Sequence, residues 1–166
     1  MKKIVILTGA GMSAESGLKT FRDSDGLWEG HSIDEVATLE AFGRNPEMVH
    51  KFYNARRRQL SEMEPNPAHF AISELARSYQ DHLTVITQNV DNLHNRAGLE
   101  NPIHIHGSLL KKKCVWCTSI SACEEDISRE DYCKNCQRPG GLRPDIVWFG
   151  EMPYHLDENR CRRLFS

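Results

Sequence analysis

The chain of 166 residues carries 21 Lys plus Arg against 23 Asp plus Glu, a formal net charge of −2, and its length suits one domain with a small appended module. That balance supplies no bulk attraction to nucleic acid or to an anionic membrane, and 39% apolar with 27% charged residues excludes a disordered or fibrous composition. No apolar run approaches the ~18 residues that span a bilayer.

In chain order, Met1-Lys2-Lys3 leads into only four apolar residues, Ile4 to Leu7. This is too short for a secretory leader, so the cytoplasm is the expected location. Ile4-Val5-Ile6-Leu7 is β-branched and ends in Thr8-Gly9-Ala10-Gly11, the pattern of a buried strand in an α/β sheet. Ser32-Ile33-Asp34-Glu35 has capping-box spacing. Val36, Leu39 and Phe42 follow at helical intervals, with Gly43 as a stop. A second helix is expected from Pro46 to about Leu60, and a third from Asn66-Pro67, with asparagine as cap and proline in the first turn. Leu83 to Thr87 reads as a strand ending in the polar turn Gln88-Asn89-Val90-Asp91. Ile103 to Gly107 reads as a third short strand, and Asp145 to Gly150 as another extended segment. Lys111-Lys112-Lys113 and the arginines between 160 and 163 read as solvated faces.

Gly9-Ala10-Gly11-Met12-Ser13-Ala14 fits G-x-G-x-x-[GA] directly after a strand. In that pattern one glycine permits the tight turn, a second admits a pyrophosphate, and a small third residue lets helix pack on strand. The N–H groups at the helix start would then face the phosphates. Any strand-to-helix turn favours glycine too. No acidic residue closes a second strand at the usual ~20-residue distance, so the loop points to a dinucleotide held in a modified way.

Cys114-x-x-Cys117 and Cys133-x-x-Cys136 are separated by fifteen residues, the spacing of a zinc ribbon. Four thiolates close a tetrahedron and leave no open position, so the metal is expected to be structural. Without an export signal a metal site is favoured over disulfides. Cys123 and Cys161 fall outside the pattern and read as incidental thiols.

Gln88, Asn89 and Asp91 end a strand, where open α/β sheets place their ligands, although Asx-rich turns share that composition. His106 before Gly107 has a side chain able to take a proton near neutrality, and taken alone is equally a strand-end histidine. Taken together, Gly9-Ala10-Gly11-x-Ser13-x-x-Ser16-Gly17 with Thr20-Phe21-Arg22-Asp23, Thr87-Gln88-Asn89-Val90-Asp91, His106-Gly107 and the two Cys-x-x-Cys pairs resemble the sirtuin family in order and spacing. Arg143-Pro144 and Val147-Trp148-Phe149-Gly150-Glu151 resemble the family's peptide-binding segment. The resemblance runs from Lys3 to about Glu158.

It implies an α/β fold, a Rossmann-like parallel sheet with a small inserted zinc-ribbon domain. Residues 1–110 would form the NAD-binding domain, with a helical insertion at about 31–62 contributing to the small domain. Residues 111–142 would be the zinc module, and 143–166 an incomplete return to the large domain. By the same resemblance the activity is NAD-dependent deacylation of lysine in protein or peptide substrates, giving nicotinamide and O-acyl-ADP-ribose. Gly9, Ala10, Gly11 and Ser13 would cradle the cofactor phosphates. Glu15, Thr20, Phe21, Arg22, Asp23 and Trp28 would belong to the cofactor site and its covering loop. Gln88 would hold ribose hydroxyls, and Asn89, Val90 and Asp91 would line the nicotinamide pocket. His106 would be the general base acting through the ribose hydroxyls, and Val147, Trp148 and Phe149 would meet the substrate. Cys114, Cys117, Cys133 and Cys136 would hold one zinc ion. Tyr53 and Arg56, at i and i+3 of the second helix, share a face and together suit a carboxylate. They resemble the Tyr-x-x-Arg of the class III sirtuins, which implies desuccinylation and demalonylation beside deacetylation. Arginine runs such as Arg56-Arg57-Arg58 also commonly face solvent.

Past Glu158 the family continues with a helix and further parallel strands that hold the adenosine half of the cofactor. Asn159 to Ser166 is arginine-rich and lacks an apolar stripe, so a truncated or frame-shifted ending is expected, with the second half of the sheet missing. A central strand would then lack its neighbour, and the chain would fold poorly and turn over weakly. The competing readings are a zinc-stabilised fragment that at most binds acyl-lysine peptide, and an ordinary NAD oxidoreductase, which the missing second-strand acid disfavours.

Overall fold

In the computed structural model the described residues are 3–18 and 28–155. Phe21, Arg22, Asp23 and Thr20, expected in the covering loop, lie outside them, as does the arginine-rich segment after residue 155. The apolar run forms strand β1 (Ile4–Thr8), which pairs in parallel with β2 (Leu83–Thr87) from Ile4 opposite Leu83 to Thr8 opposite Thr87. β2 pairs in parallel with the two-residue β3 (Ile103–His104), giving the order β1-β2-β3. The single turn α1 (Gly11–Ala14) follows the glycine loop. Parallel strands with crossover helices are what a β-branched run after a long helical segment is expected to build.

The helical layer is α2 (Ile33–Val36), α3 (Leu39–Arg44) and α4 (Pro46–Glu62), followed by α5 (Pro67–Tyr79) and the short α6 (Leu93–Arg96). The Ser32 cap acts as expected: the Glu35 carboxylate reaches back to accept from Ser32 N–H at 2.8 Å. The single helix expected from 33 to 43 is broken, however. Thr38 is extended and its hydroxyl caps Ala41 N–H at 3.0 Å, so a β-branched residue able to accept from the backbone restarts the helix. Asn66 likewise caps α5 by accepting from Ala68 N–H at 3.0 Å.

A second, antiparallel sheet has the order β5-β4-β6, from β4 (Gly107–Cys114), β5 (Ile120–Ala122) and β6 (Leu142–Ile146). The extended segment expected at 145–150 thus ends at Ile146, and it returns to β4 rather than to the parallel sheet. The expected domain boundaries at 110/111 and 142/143 fall inside β4 and β6. A further difference concerns β1, expected to be buried: Val5 is 39% and Leu7 61% exposed. Only one edge of β1 is paired among the described residues, and no element among them covers its outer face.

The main core lies where α2–α4 meet β4 and β6, with Val36, Val49, Phe52, Tyr53, Leu60, Leu109, Ile146 and Trp148 packed together. A smaller cluster, Cys114, Cys123, Ile127, Cys133 and Leu142, forms the interior of the zinc module. No helix among the described residues is long and apolar enough to cross a membrane.

Candidate active site and zinc centre

The C-terminal end of β2, the face of α4 and the turn after β6 enclose a cavity of about 530 Å³. It gathers residues far apart in sequence: Ala10 and Ser13 from the glycine loop and its helix, Trp28, whose ring packs on Phe52 and Tyr53, Gln88, Asn89, Val90 and Asp91 from the polar turn, and His106. Tyr53 and Arg56 enter from α4, and Val147, Trp148 and Phe149 from the segment after β6. Gly9, Gly11 and Glu15 are described but do not line the cavity.

His106 is held in one tautomer. Its Nδ1 lies 3.0 Å from the Gln88 carbonyl oxygen, which can only accept, so Nδ1 carries the proton and Nε2 is left as the acceptor. Its own carbonyl accepts from Val147 N–H at 3.0 Å, tying the ring's backbone to the segment after β6. Gly107, next in chain, has φ +81°, and a Cβ there would lie 2.0 Å from the Asp145 carbonyl oxygen. Only glycine permits that crossing.

The polar turn is knitted to the glycine loop from below. The buried Ser13 hydroxyl donates to Asp91 Oδ2 at 2.9 Å and accepts from Asn89 Nδ2 at 2.9 Å. Asp91 Oδ1 accepts from Leu93 N–H at 3.0 Å. The one proton of the Ser13 hydroxyl is thereby directed to Asp91, while Ser13 itself lines the cavity. The expected row of free N–H groups at the helix start is reduced. α1 is a single turn, and Met12 and Ser13 already donate to the Gly9 and Ala10 carbonyls at 2.9 and 3.0 Å.

On α4, Tyr53 is fully buried and its hydroxyl is 2.9 Å from the indole nitrogen of Trp148. Burial holds the phenol well above its ordinary pKa. Arg56 stacks over the Phe52 ring at 5.2 Å, and Nη1 is 3.9 Å from Glu29. Its Nε is buried without a partner. Gln59 and Ala37 also line the cavity and were not singled out from sequence. Gln59 is one further turn along the Tyr53–Arg56 stripe, so helical spacing alone could have found it.

Cys114 Sγ is 3.7 Å from Cys136 Sγ, Cys117 Sγ is 3.6 Å from Cys133 Sγ, and all four sulfurs lie within 4.8 Å of one another. A tetrahedron with Zn–S bonds of ~2.3 Å has edges of about 3.8 Å, so the donor set fits one zinc ion with no vacant position. The Ser119 hydroxyl and the Asn135 amide lower the Cys117 thiol to a pKa of about 5, favouring the thiolate that a metal needs.

A family model described as the Sir2 family matches residues 9–163. A protein of Bdellovibrio bacteriovorus named NAD-dependent protein deacylase is 54% identical over 159 residues, covering 95% of this chain and 68% of the relative. One of the same name from Escherichia coli K12 is 52% identical, covering 94% of this chain and 57% of its own length. A solved Sir2 homologue in complex with NAD aligns with a TM-score of 0.81 at 43% identity, over 98% of this chain and 62% of that one. A Sir2 structure holding a deacetylated p53 peptide with 3′-O-acetyl ADP ribose aligns at 0.76 and 30% identity, over 97% of this chain and 65% of that one. The chain therefore spans roughly two thirds, or somewhat less, of the relatives it matches.

Proposed function

The chain belongs to the Sir2 family, and from that premise we propose that it is an NAD-dependent protein-lysine deacylase whose acyl pocket takes succinyl and malonyl groups as well as acetyl. The observation that carries the reading is His106, tied through Nδ1 to the Gln88 carbonyl and lining the same cavity as Asn89, Asp91, Tyr53 and Arg56. NAD, as co-substrate, would supply the ribose C1′ as electrophile and nicotinamide as leaving group. The acyl oxygen of the modified lysine would form the new bond to C1′ as the nicotinamide bond breaks. His106 Nε2 would take the proton from a ribose hydroxyl, and with a water consumed the products would be O-acyl-ADP-ribose and free lysine. Asp91, buried yet with lone pairs to spare beyond its two hydrogen bonds, would accept from the nicotinamide carboxamide. Gln88 would hold the ribose, and Val147 and Phe149 would line the acyl-lysine peptide. The zinc, held by four cysteines, would take no part in the chemistry. A balanced net charge and a reduced thiol cluster support a cytoplasmic protein without nucleic-acid or membrane partners.

The test is nicotinamide release by the 166-residue chain from NAD with succinyl-lysine and acetyl-lysine peptides. His106→Ala should lower turnover by about 10²–10⁴, the usual worth of a positioned base, with zinc content and melting unchanged. Near-normal turnover by that variant would refute the assignment. A second reading, peptide binding without turnover, is favoured by the uncovered outer face of β1 at Val5 and Leu7, next to the glycine loop. It predicts peptide binding with nicotinamide release at background.

A further inference from the structure

We propose that Trp148 is a positioning residue that aims the Tyr53 proton at the acyl group; this rests on the acidic-acyl reading above. An indole N–H can only donate, so in the 2.9 Å contact the phenol oxygen is the acceptor. The phenol's single proton must then point elsewhere, and no acceptor for it exists among the described residues. A phenol is a protonated donor at neutral pH, and burial, which raises its pKa further, keeps it from becoming an anion that would repel a carboxylate. Arg56 Nε–H is also buried without a partner. Two donors without acceptors, one neutral and one cationic, line one cavity. A carboxylate at the end of a short acyl chain answers both, whereas an acetyl methyl answers neither.

The indole is fixed from several sides, which is what a positioning role requires. The Arg143 guanidinium lies 4.0 Å from the ring centroid, and Phe42 packs at 5.6 Å. Arg143 Nη2 donates to both oxygens of Glu151, at 2.9 and 2.8 Å, and Glu151 in turn accepts from Trp148 N–H at 2.9 Å. The chain Glu151–Arg143–Trp148–Tyr53, buried from Arg143 onward, thereby links the turn after β6 to α4 across 95 residues of sequence. Tyr53 and Trp148 are both buried, so neither ring can swing without opening the core.

The experiment compares affinities for succinyl-lysine and acetyl-lysine peptides of one sequence, by fluorescence polarisation. It uses the unmodified chain, Trp148→Phe, Tyr53→Phe, the double variant, and Arg56→Met. Trp148→Phe should lower the succinyl-over-acetyl ratio by about tenfold or more, the worth of one oriented hydrogen bond to a charged group. In the Tyr53→Phe background it should change the ratio no further. A ratio kept in Trp148→Phe but lost in Arg56→Met overturns the role of Trp148 and leaves the acidic-acyl reading standing. Equal affinity for the two peptides, unmoved by Arg56→Met, overturns both. Should Trp148→Phe not fold, as judged by zinc content and melting, the indole ¹⁵N–¹H resonance of Trp148 decides. Tyr53→Phe should shift it upfield and speed its hydrogen exchange, and an unmoved resonance refutes the contact.

Discussion

Two histidines lie beneath the candidate site without touching its cavity. His94 is 1% exposed, has Nε2 3.0 Å from the Thr8 hydroxyl just before the glycine loop, and leaves Nδ1 without a partner. His69 packs against it at 5.0 Å, accepts from Asn66 N–H at 3.2 Å, and its Nε2 is also orphaned. Burial, then the neighbouring His69, lowers the His94 pKa to about 4, and burial lowers that of His69 too. The groups facing His94 from other elements are Asp91, whose charge works the other way, and His104. An imidazole that stays neutral in the fold and titrates near ~6.5 when unfolded makes the unfolded state bind more protons between those values. The associated stability is therefore complete above about pH 6.5 and is lost as pH falls toward 4, costing about 2 kcal/mol by pH 5. Melting curves at pH 7.5 and 5, with zinc occupancy measured alongside, should show His94→Gln losing less stability on acidification than the unmodified chain. An equal loss in both would mean that His94 already carries a proton in the fold.

At the scale of elements, α4 does two jobs with two stripes about 120° apart at ~100° per residue. Tyr53, Arg56 and Gln59 line the cavity. His50 and Asn54 face the zinc module, where His50 Nε2–H donates to the Leu142 carbonyl at 2.8 Å and Asn54 bonds both backbone groups of Ile127, and beside them Arg57 donates to the Leu109 carbonyl of β4 at 2.9 Å. The three consecutive arginines therefore meet three fates. Arg56 is part-buried at the site, Arg57 is buried between layers, and Arg58 pairs with Asp126 at the surface. Sequence could see the i, i+3 stripe of Tyr53 and Arg56, since that is local periodicity. It could not see that Arg57 would be buried, because that depends on the Leu109 carbonyl supplied by β4, 52 residues away. The same limit explains β1, whose apolar pattern reads as covered on both faces although exposure is set by which elements lie alongside. The cysteine quartet was legible because four thiolates around one ion dictate their own spacing. Gly107 was legible only as a neighbour of His106. Its reason, the crossing of Asp145, is a tertiary contact between β4 and β6. Gly107→Ala should destabilise the fold by about 2 kcal/mol or more, because positive φ and a backbone clash add and neither atom can move aside. Urea denaturation measures this directly, and a loss under about 0.5 kcal/mol would show that β4 and β6 separate freely there.

Across the whole molecule, the zinc centre and the acyl cavity share no residue, yet both depend on where α4 lies. The module's interior is small, five buried residues of which three are cysteines, so most of its folding energy must come from the metal. The module's backbone at Ile127 and Leu142 is what Asn54 and His50 bind. Release of the ion should therefore free the polar stripe of α4 and, through the rigidity of the helix, blur the placement of Tyr53 and Arg56 a quarter-turn or more away. Chelation is expected to lower the melting temperature by roughly 10 °C or more, taking about 2–4 °C per kcal/mol for a chain of this size. It should also weaken succinyl-lysine peptide binding, and both effects should reverse when zinc is restored. Asn54→Ala makes the argument specific: with zinc bound it should reproduce part of the loss in peptide affinity, whereas after chelation it should add little, because the partner it lost is already gone. If the chelated chain bound the peptide as tightly as the metal-loaded one, the module would be a passenger on α4, and the acyl pocket would owe its shape to the helical layer and the parallel sheet alone.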